Sequence, residues 1–328
     1  MGSATPTTSG QCGDPPDQSR VVQVLALDGG GLRGIFTAAA LAAWEDDFGT
    51  RVADHFDLIT GTSTGGIIAL GLGLGVSPRQ LLELYATDGT KVFPTGLLKS
   101  RRIRWLRRAK HNPRHLRAVL ERQFGDKLLG ASAARLAIPS YDLVSDDVHL
   151  FRTPHHPDLR RDWRVSAVDV AMATASAPTY LPVHGLGGYR LVDGGVWANN
   201  PTMVGVAEAV DRLGADVRQV RVMNVGTVTE LVARPERLDT GGLVAWRRDA
   251  LDVVLRGQAL AAKNHAALIV GRQNVVRVDV PVPHGLHGLD EVRPADLVAR
   301  AAAASRHSSP DVAQFFEHTP SPYVPLYS

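Results

Sequence analysis

An α/β fold, a sheet flanked by helices, is predicted by two features of the chain. Strand-length apolar runs alternate with helix-length segments through most of its 328 residues. Two of those runs, Val21–Asp28 and Phe56–Thr60, pass straight into Gly29-Gly30-Gly31-Leu32-Arg33-Gly34 and Gly61-Thr62-Ser63-Thr64-Gly65-Gly66, the glycine-rich text of strand-to-helix turns. With 44% hydrophobic and 21% charged residues the chain has the composition of a soluble globular protein with a sizeable core.

Residues 1–20, rich in Gly, Pro, Ser and Thr, predict a disordered tail, and residues 21–328 a single domain. A strand is expected at Val21–Leu27, a helix at Gly34–Phe48, a strand at Phe56–Thr60, a helix through about Leu74 and another at Pro78–Thr87. Ala137–Leu143 and Val148–Arg152 read as a strand pair around Ser145-Asp146-Asp147. Then follow a helix at Val168–Ala177, a strand at Tyr189–Val192, a helix at Pro201–Leu213 and a strand at Val217–Asn224. Past about Gly226 the text is less diagnostic: Leu243–His265 has helical spacing, Asn274–Val280 alternates like a strand, and Pro294–Phe316 carries one more helix.

Several classes are excluded. The tail lacks the cationic start and apolar run of a secretory signal, so the expected location is cytoplasmic. The most apolar stretch, Ile59–Val76, contains Ser63, three threonines and six glycines, which suits a buried turn and helix better than a membrane span. The single cysteine, Cys12, rules out a disulfide framework and a cysteine metal cluster. A net charge of +3 does not mark a DNA- or RNA-binding protein. One segment is strongly basic: seven cations and no acid lie between Lys99 and Lys110, with Arg101, Arg102, Arg104 and Arg107 interleaved with Ile103, Trp105 and Leu106. That mixture suits a segment lying on an anionic membrane, or equally a solvated helix whose apolar side packs on the core.

Gly61-Thr62-Ser63-Thr64-Gly65 has the Gly-x-Ser-x-Gly spacing of a nucleophile elbow, making Ser63 the candidate nucleophile with Gly61 and Gly65 as the elbow glycines. A serine hydroxyl needs a base. Asp193, at the end of a strand and followed by Gly194 and Gly195, is the leading one, although Asp-Gly is also an ordinary turn. The order Ser63, Asp193, then His265 or His284 also permits a three-residue arrangement. Amides of Gly29, Gly30 and Gly31, followed by Arg33, are placed to hold an anion at a helix start. A different class uses the same glycines: Gly29, Gly31 and Gly34 fit a dinucleotide fingerprint with Asp54 or Asp57 as the ribose acid, but this leaves the elbow unexplained.

Asp28–Gly34, Gly61–Gly65 and Asp193–Gly195, taken in order, resemble the patatin-like phospholipases over about residues 21–210. The resemblance implies a three-layer α/β/α sandwich with a mostly parallel central sheet and a Ser–Asp dyad, Ser63 and Asp193, that cleaves acyl esters of membrane phospholipids without metal or organic cofactor. Gly29, Gly30 and Gly31 match the oxyanion hole, with Arg33 as its cationic support. Ile59–Gly73, Ala173–Tyr180 and Asp193–Pro201 look more narrowly like the bacterial patatin phospholipases of anti-phage defence. That likeness implies activation by a cyclic dinucleotide such as cyclic GMP-AMP, action at the inner membrane and a possible ligand-dependent oligomer. Arg160, Arg161 and Arg164 are candidates for the nucleotide's phosphates. Asn199-Asn200-Pro201 reads as a turn and helix start supporting the Asp193 loop.

Overall fold

The computed structural model describes residues 20–92, 109–231, 234–242, 246 and 249–327. The N-terminal tail and the basic segment carrying Arg101, Arg102, Arg104, Trp105 and Arg107 lie outside the described residues.

In chain order the principal elements are β1 (Val22–Leu27), α1 (Gly34–Phe48), β2 (Leu58–Gly61), α2 (Thr64–Gly73), α3 (Pro78–Val92) and α4 (Pro113–Phe124). Next come β3 (Leu136–Asp142), β4 (Asp147–Arg152), α5 (Ala167–Thr174), β5 (His184–Leu186), β6 (Tyr189–Asp193), the short α6 (Gly195–Ala198) and α7 (Thr202–Asp211). The chain then forms β7 (Val220–Val225), β8 (Thr229–Leu231), α8 (Asp249–Val270), β9 (Val275–Val278), β10 (Pro281–Pro283) and α9 (Pro294–Phe316). Among the described residues, eight strands make the main sheet in the order β5-β6-β3-β2-β1-β7-β9, with β4 also on β3, and β8 and β10 make a separate parallel pair. The strands from β3 through β2, β1 and β7 to β9 are parallel; β4, β5 and β6 pair antiparallel.

β1 sits at the centre because every residue of it can be buried. Leu25 and Leu27 enter the larger core with α1, α2, α5 and α9, whereas Val22, Val24 and Ala26 enter a second core with α7 and α8. A period of two thus feeds both faces of one strand, and helices cover each face, giving three layers. On the first face α1 packs against α9, where the indole Nε1 of buried Trp44 reaches Ser305 O at 3.4 Å. α1 stops at Gly49, whose φ of +64° only glycine adopts freely.

The main differences from the sequence expectations lie in five elements. α3 runs on to Val92 rather than ending near Thr87. α4 was not anticipated, although Asn112 caps it, accepting from Arg114 N–H at 3.0 Å, and Pro113 occupies its first turn. β5 and the β8–β10 pair, three residues per strand, are too short to leave a period in the text.

β3 explains how the distant motifs meet. Along one edge it pairs with β4 over its length; on the other, β2 pairs with Leu136 and Ala137, and β6 with Ser140 to Asp142. β2 runs parallel to β3 and β6 antiparallel, so their C-terminal ends approach each other along that shared edge. Ser63 lies two residues past β2, and Asp193 is the last residue of β6, opposite Ser140.

At the opposite end of the strands, Asp57 clasps the chain together. Its buried carboxylate takes Gln23 N–H at 2.9 Å, Arg20 Nη2 at 2.9 Å and Ser321 N–H at 2.9 Å, with His318 Nε2 at 2.7 Å. Every carboxylate contact there is to the protein's own β1 or to the segments flanking it and α9, and the glycine loop lies past the far end of β1. Asp57 is therefore not a ribose acid, which removes it from the dinucleotide reading. Asp57→Ala is expected to cost about 1–3 kcal/mol of unfolding free energy for each buried amide, Gln23 and Ser321, left without its acceptor. Urea melts measure it, and a loss below about 1 kcal/mol would contradict the clasp.

Candidate active site

Between β2 and α2 the chain turns so tightly that Ser63 takes φ +55°, ψ −121°. A non-glycine residue holds that conformation only when its surroundings enforce it. Here Ser63 N–H donates to Thr174 Oγ1 at 3.0 Å, Thr174 Oγ1 donates to Pro139 O at 2.6 Å, and Thr62 Oγ1 donates to Ala198 O at 2.6 Å. The flanking glycines are steric necessities: a β-carbon on Gly61 would lie 2.2 Å from Gly65 O, and one on Gly65 would lie 2.2 Å from Leu27 O. The elbow thus has the geometry its spacing predicts.

Asp193 is 5% exposed. Its carboxyl lies beside the Ser63 hydroxyl and accepts a hydrogen bond from Gly195 N–H at 2.7 Å, while its own N–H donates to Ser176 O at 3.0 Å. Burial pushes its pKa up to about 6, and the neighbouring Ser63 hydroxyl and Gly195 N–H oppose the rise. Asp193 is thus held near neutrality, where a general base is useful. The Asp193 loop is braced by Trp197 Nε1, which donates to Ser140 O at 2.8 Å, and by Gln258 Nε2 of α8, which donates to Gly195 O at 3.0 Å.

Neither histidine alternative joins this pair. His265 is exposed on α8, and His284 has Nδ1 2.9 Å from Glu230 Oε2 with its side chain 67% exposed.

The glycine loop can be resolved amide by amide. Gly29 N–H donates to Asn199 O at 2.9 Å, Leu32 N–H to Leu289 O at 2.8 Å, and Arg33 N–H to Gly30 O at 3.2 Å. Among the described residues no acceptor takes the N–H of Gly30 or Gly31. Of the expected trio of donors, Gly30 and Gly31 have amides without an acceptor, whereas Gly29's is engaged. Arg33 Nε donates to Gly30 O at 3.2 Å, so the cation buttresses the loop directly. Desolvation lowers the pKa of this guanidinium, and Glu230, Asp279 and Asp252 oppose that.

Beneath the loop lies a polar network that the sequence reading missed. Asp28 is buried, which raises its pKa; Arg277 of β9 opposes this at 2.8 Å, and Asn224 Nδ2 of β7 donates to it at 2.7 Å. Arg277 also pairs with Asp279 at 2.7 Å. These residues lie about 200 and 250 positions from Asp28, and no local motif announces them.

Ser63, Asp193, Arg33 and the glycine loop open onto a cavity of about 450 Å³. Ile67, Leu116, Leu181, Leu255 and Leu260 give it an apolar wall, which suits an acyl chain, and Glu230, Asp252, Arg256 and Lys263 also line it. Arg160, Arg161 and Arg164 are exposed and do not line it; Arg160 Nε donates to Pro157 O at 2.9 Å and Arg164 lies 4.5 Å over the Trp163 ring. No helix among the described residues is long and apolar enough to cross a membrane.

Comparison with known proteins agrees with this architecture. The patatin-like phospholipase family profile matches residues 25–206. A "cGAMP-activated phospholipase" of Pseudomonas aeruginosa is 37% identical over 238 residues, covering 72% of this chain and 71% of that one. A protein of the same description from Vibrio cholerae is 34% identical over 306 residues, covering 83% and 86%. "Patatin-like protein 2" of Arabidopsis thaliana is 29% identical over 228 residues, covering 61% and 55%. With its elbow, glycine loop and Asp-Gly-Gly turn assembled on a mostly parallel sheet, the chain belongs to the patatin-like phospholipase family.

Proposed function

We propose that the protein hydrolyses acyl esters of membrane phospholipids with Ser63 as nucleophile and Asp193 as general base. The observation that carries this reading is a buried carboxyl set beside the Ser63 hydroxyl, at a strained elbow next to two unengaged amides. Asp193 accepts the Ser63 proton as Oγ attacks the ester carbonyl. Gly30 and Gly31 N–H receive the oxyanion, with Arg33 behind them. Asp193 then returns the proton to the departing lysophospholipid. In the second half Asp193 takes a proton from water, the hydroxide attacks the acyl-serine, and collapse releases the fatty acid and reprotonates Ser63. No step calls for a metal or organic cofactor.

The likeness to two cGAMP-activated phospholipases over most of both chains supports control by a cyclic dinucleotide. An uncontrolled phospholipase would attack its own cell's inner membrane, so a latent resting state is part of this reading. We further take residues 21–328 as one domain, since the larger core runs from Leu25 to Phe316, and the Arg101–Arg107 segment with Trp105 as the contact to anionic lipid. Arg160, Arg161 and Arg164 remain the proposed phosphate partners of the nucleotide.

Ser63→Ala and Asp193→Ala should each reduce turnover by orders of magnitude, and the double variant should be little worse, because the two act as one unit. Release of fatty acid from vesicles measures this; near-normal turnover in Asp193→Ala would overturn the dyad.

Only the ionised Asp193 can accept the proton. Activity should therefore fall tenfold per unit as pH drops below about 6 and level off above it. A kcat/KM profile flat down to pH 4.5 would contradict that assignment.

Vesicle hydrolysis should rise steeply on adding 3′,3′-cyclic GMP-AMP. A shift from about 1% to 99% competent enzyme needs roughly 10⁴-fold tighter binding to the competent state. Full activity without nucleotide, with no binding by calorimetry, would leave a constitutive lipase.

A further inference from the structure

We infer that Thr227, beyond the segment matched by the family profile, is a positioning residue that aims the Gly30 amide at the oxyanion. The inference rests on the Ser63–Asp193 reading and concerns how its oxyanion site is built. A trans peptide is planar, with its C=O and N–H pointing in opposite directions, and no peptide bond among the described residues is cis. Whatever grips the carbonyl of Gly29 therefore fixes where the N–H of Gly30 points. Thr227 Oγ1 donates to Gly29 O at 3.1 Å, and Asn199 Nδ2 reaches the same oxygen only at 3.5 Å. The next peptide is built alike: Gly30 O is held by Arg33 N–H and Nε, both at 3.2 Å, which directs the Gly31 N–H. Two successive carbonyls are thus anchored from the protein side, and the two amides paired with them are those without an acceptor.

Thr227 is itself held firmly. It is 4% exposed and packs so closely on the loop that a β-carbon on Gly30 would come within 2.1 Å of Thr227 Oγ1. Its neighbours are pinned on both sides. Gly226 N–H donates to Val278 O at 2.8 Å, Thr37 Oγ1 donates to Gly226 O at 2.8 Å, and Thr229 N–H donates to Val280 O at 3.0 Å. Val228 adopts φ +69°, a left-handed conformation that a β-branched residue accepts only under constraint. The β7–β8 turn, like the elbow, is a strained segment beside the cavity, and what it delivers there is the Thr227 hydroxyl.

The test uses the full chain, a soluble short-chain nitrophenyl ester and saturating 3′,3′-cyclic GMP-AMP in every arm. Thr227→Val keeps the shape and removes the donor; kcat should fall about 10- to 100-fold with KM within about twofold, because the oxyanion is bound only in the transition state. Thr227→Ser, which restores the hydroxyl, should recover kcat to within about threefold of the parent. If Thr227→Val does not fold, Thr227→Ala carries the same expectation. A folded Thr227→Val or Thr227→Ala variant with parental kcat, or a Thr227→Ser variant as impaired as Thr227→Val, would overturn the inference. Ser63→Ala in the same assay separates the two readings: activity surviving there overturns the dyad instead.

Discussion

A carboxylate can deprotonate a serine without histidine only if the two lie close together and water is kept from the acid, and Asp193, buried beside the Ser63 hydroxyl, meets both conditions. Exposed to water, the Asp193 carboxylate would be too weak a base; buried, its pKa rises to about 6. The rise has a stability cost. A carboxyl with a folded pKa near 6 instead of 3.8 is penalised as pH climbs from about 4 through 6, to the extent of roughly 3 kcal/mol above that range. The elbow adds backbone strain of about 1–3 kcal/mol at Ser63. The surrounding fold offsets both.

That offset comes from the sheet. β2 and β6 share one edge of β3 and run towards each other, so the two functional residues are fixed by strand pairing rather than by loops. The strands are in turn clamped at their other ends, where Asp57 gathers Arg20, Gln23, His318 and Ser321 around a buried carboxylate. The site therefore lies past the C-terminal ends of β1 and β2, the usual position for a site on such a sheet, and the structural acid lies at the ends away from it.

Much of this was legible in the text. The elbow, the glycine loop and Asp193-Gly194-Gly195 are local motifs whose spacing is itself the signal, and β1, α1 and β2 are set off by glycine-rich punctuation. The illegible parts share a different cause. Thr227, Asn224, Arg277 and Asp279 act on the glycine loop across about 200 residues or more, and nothing near them in sequence marks an ordinary threonine or an Arg-x-Asp as a support. Gly29 was read as a donor because three adjacent glycines look equivalent. Only the fold shows that Asn199 O takes its amide.

The central claim is that one serine, activated by one buried aspartate, is the nucleophile. Fluorophosphonate labelling followed by peptide mass mapping tests it most directly. The account predicts a single adduct on Ser63, formed in the parent and slowed by orders of magnitude in Asp193→Ala. An adduct on another residue, or labelling of Asp193→Ala at the parental rate, would contradict it.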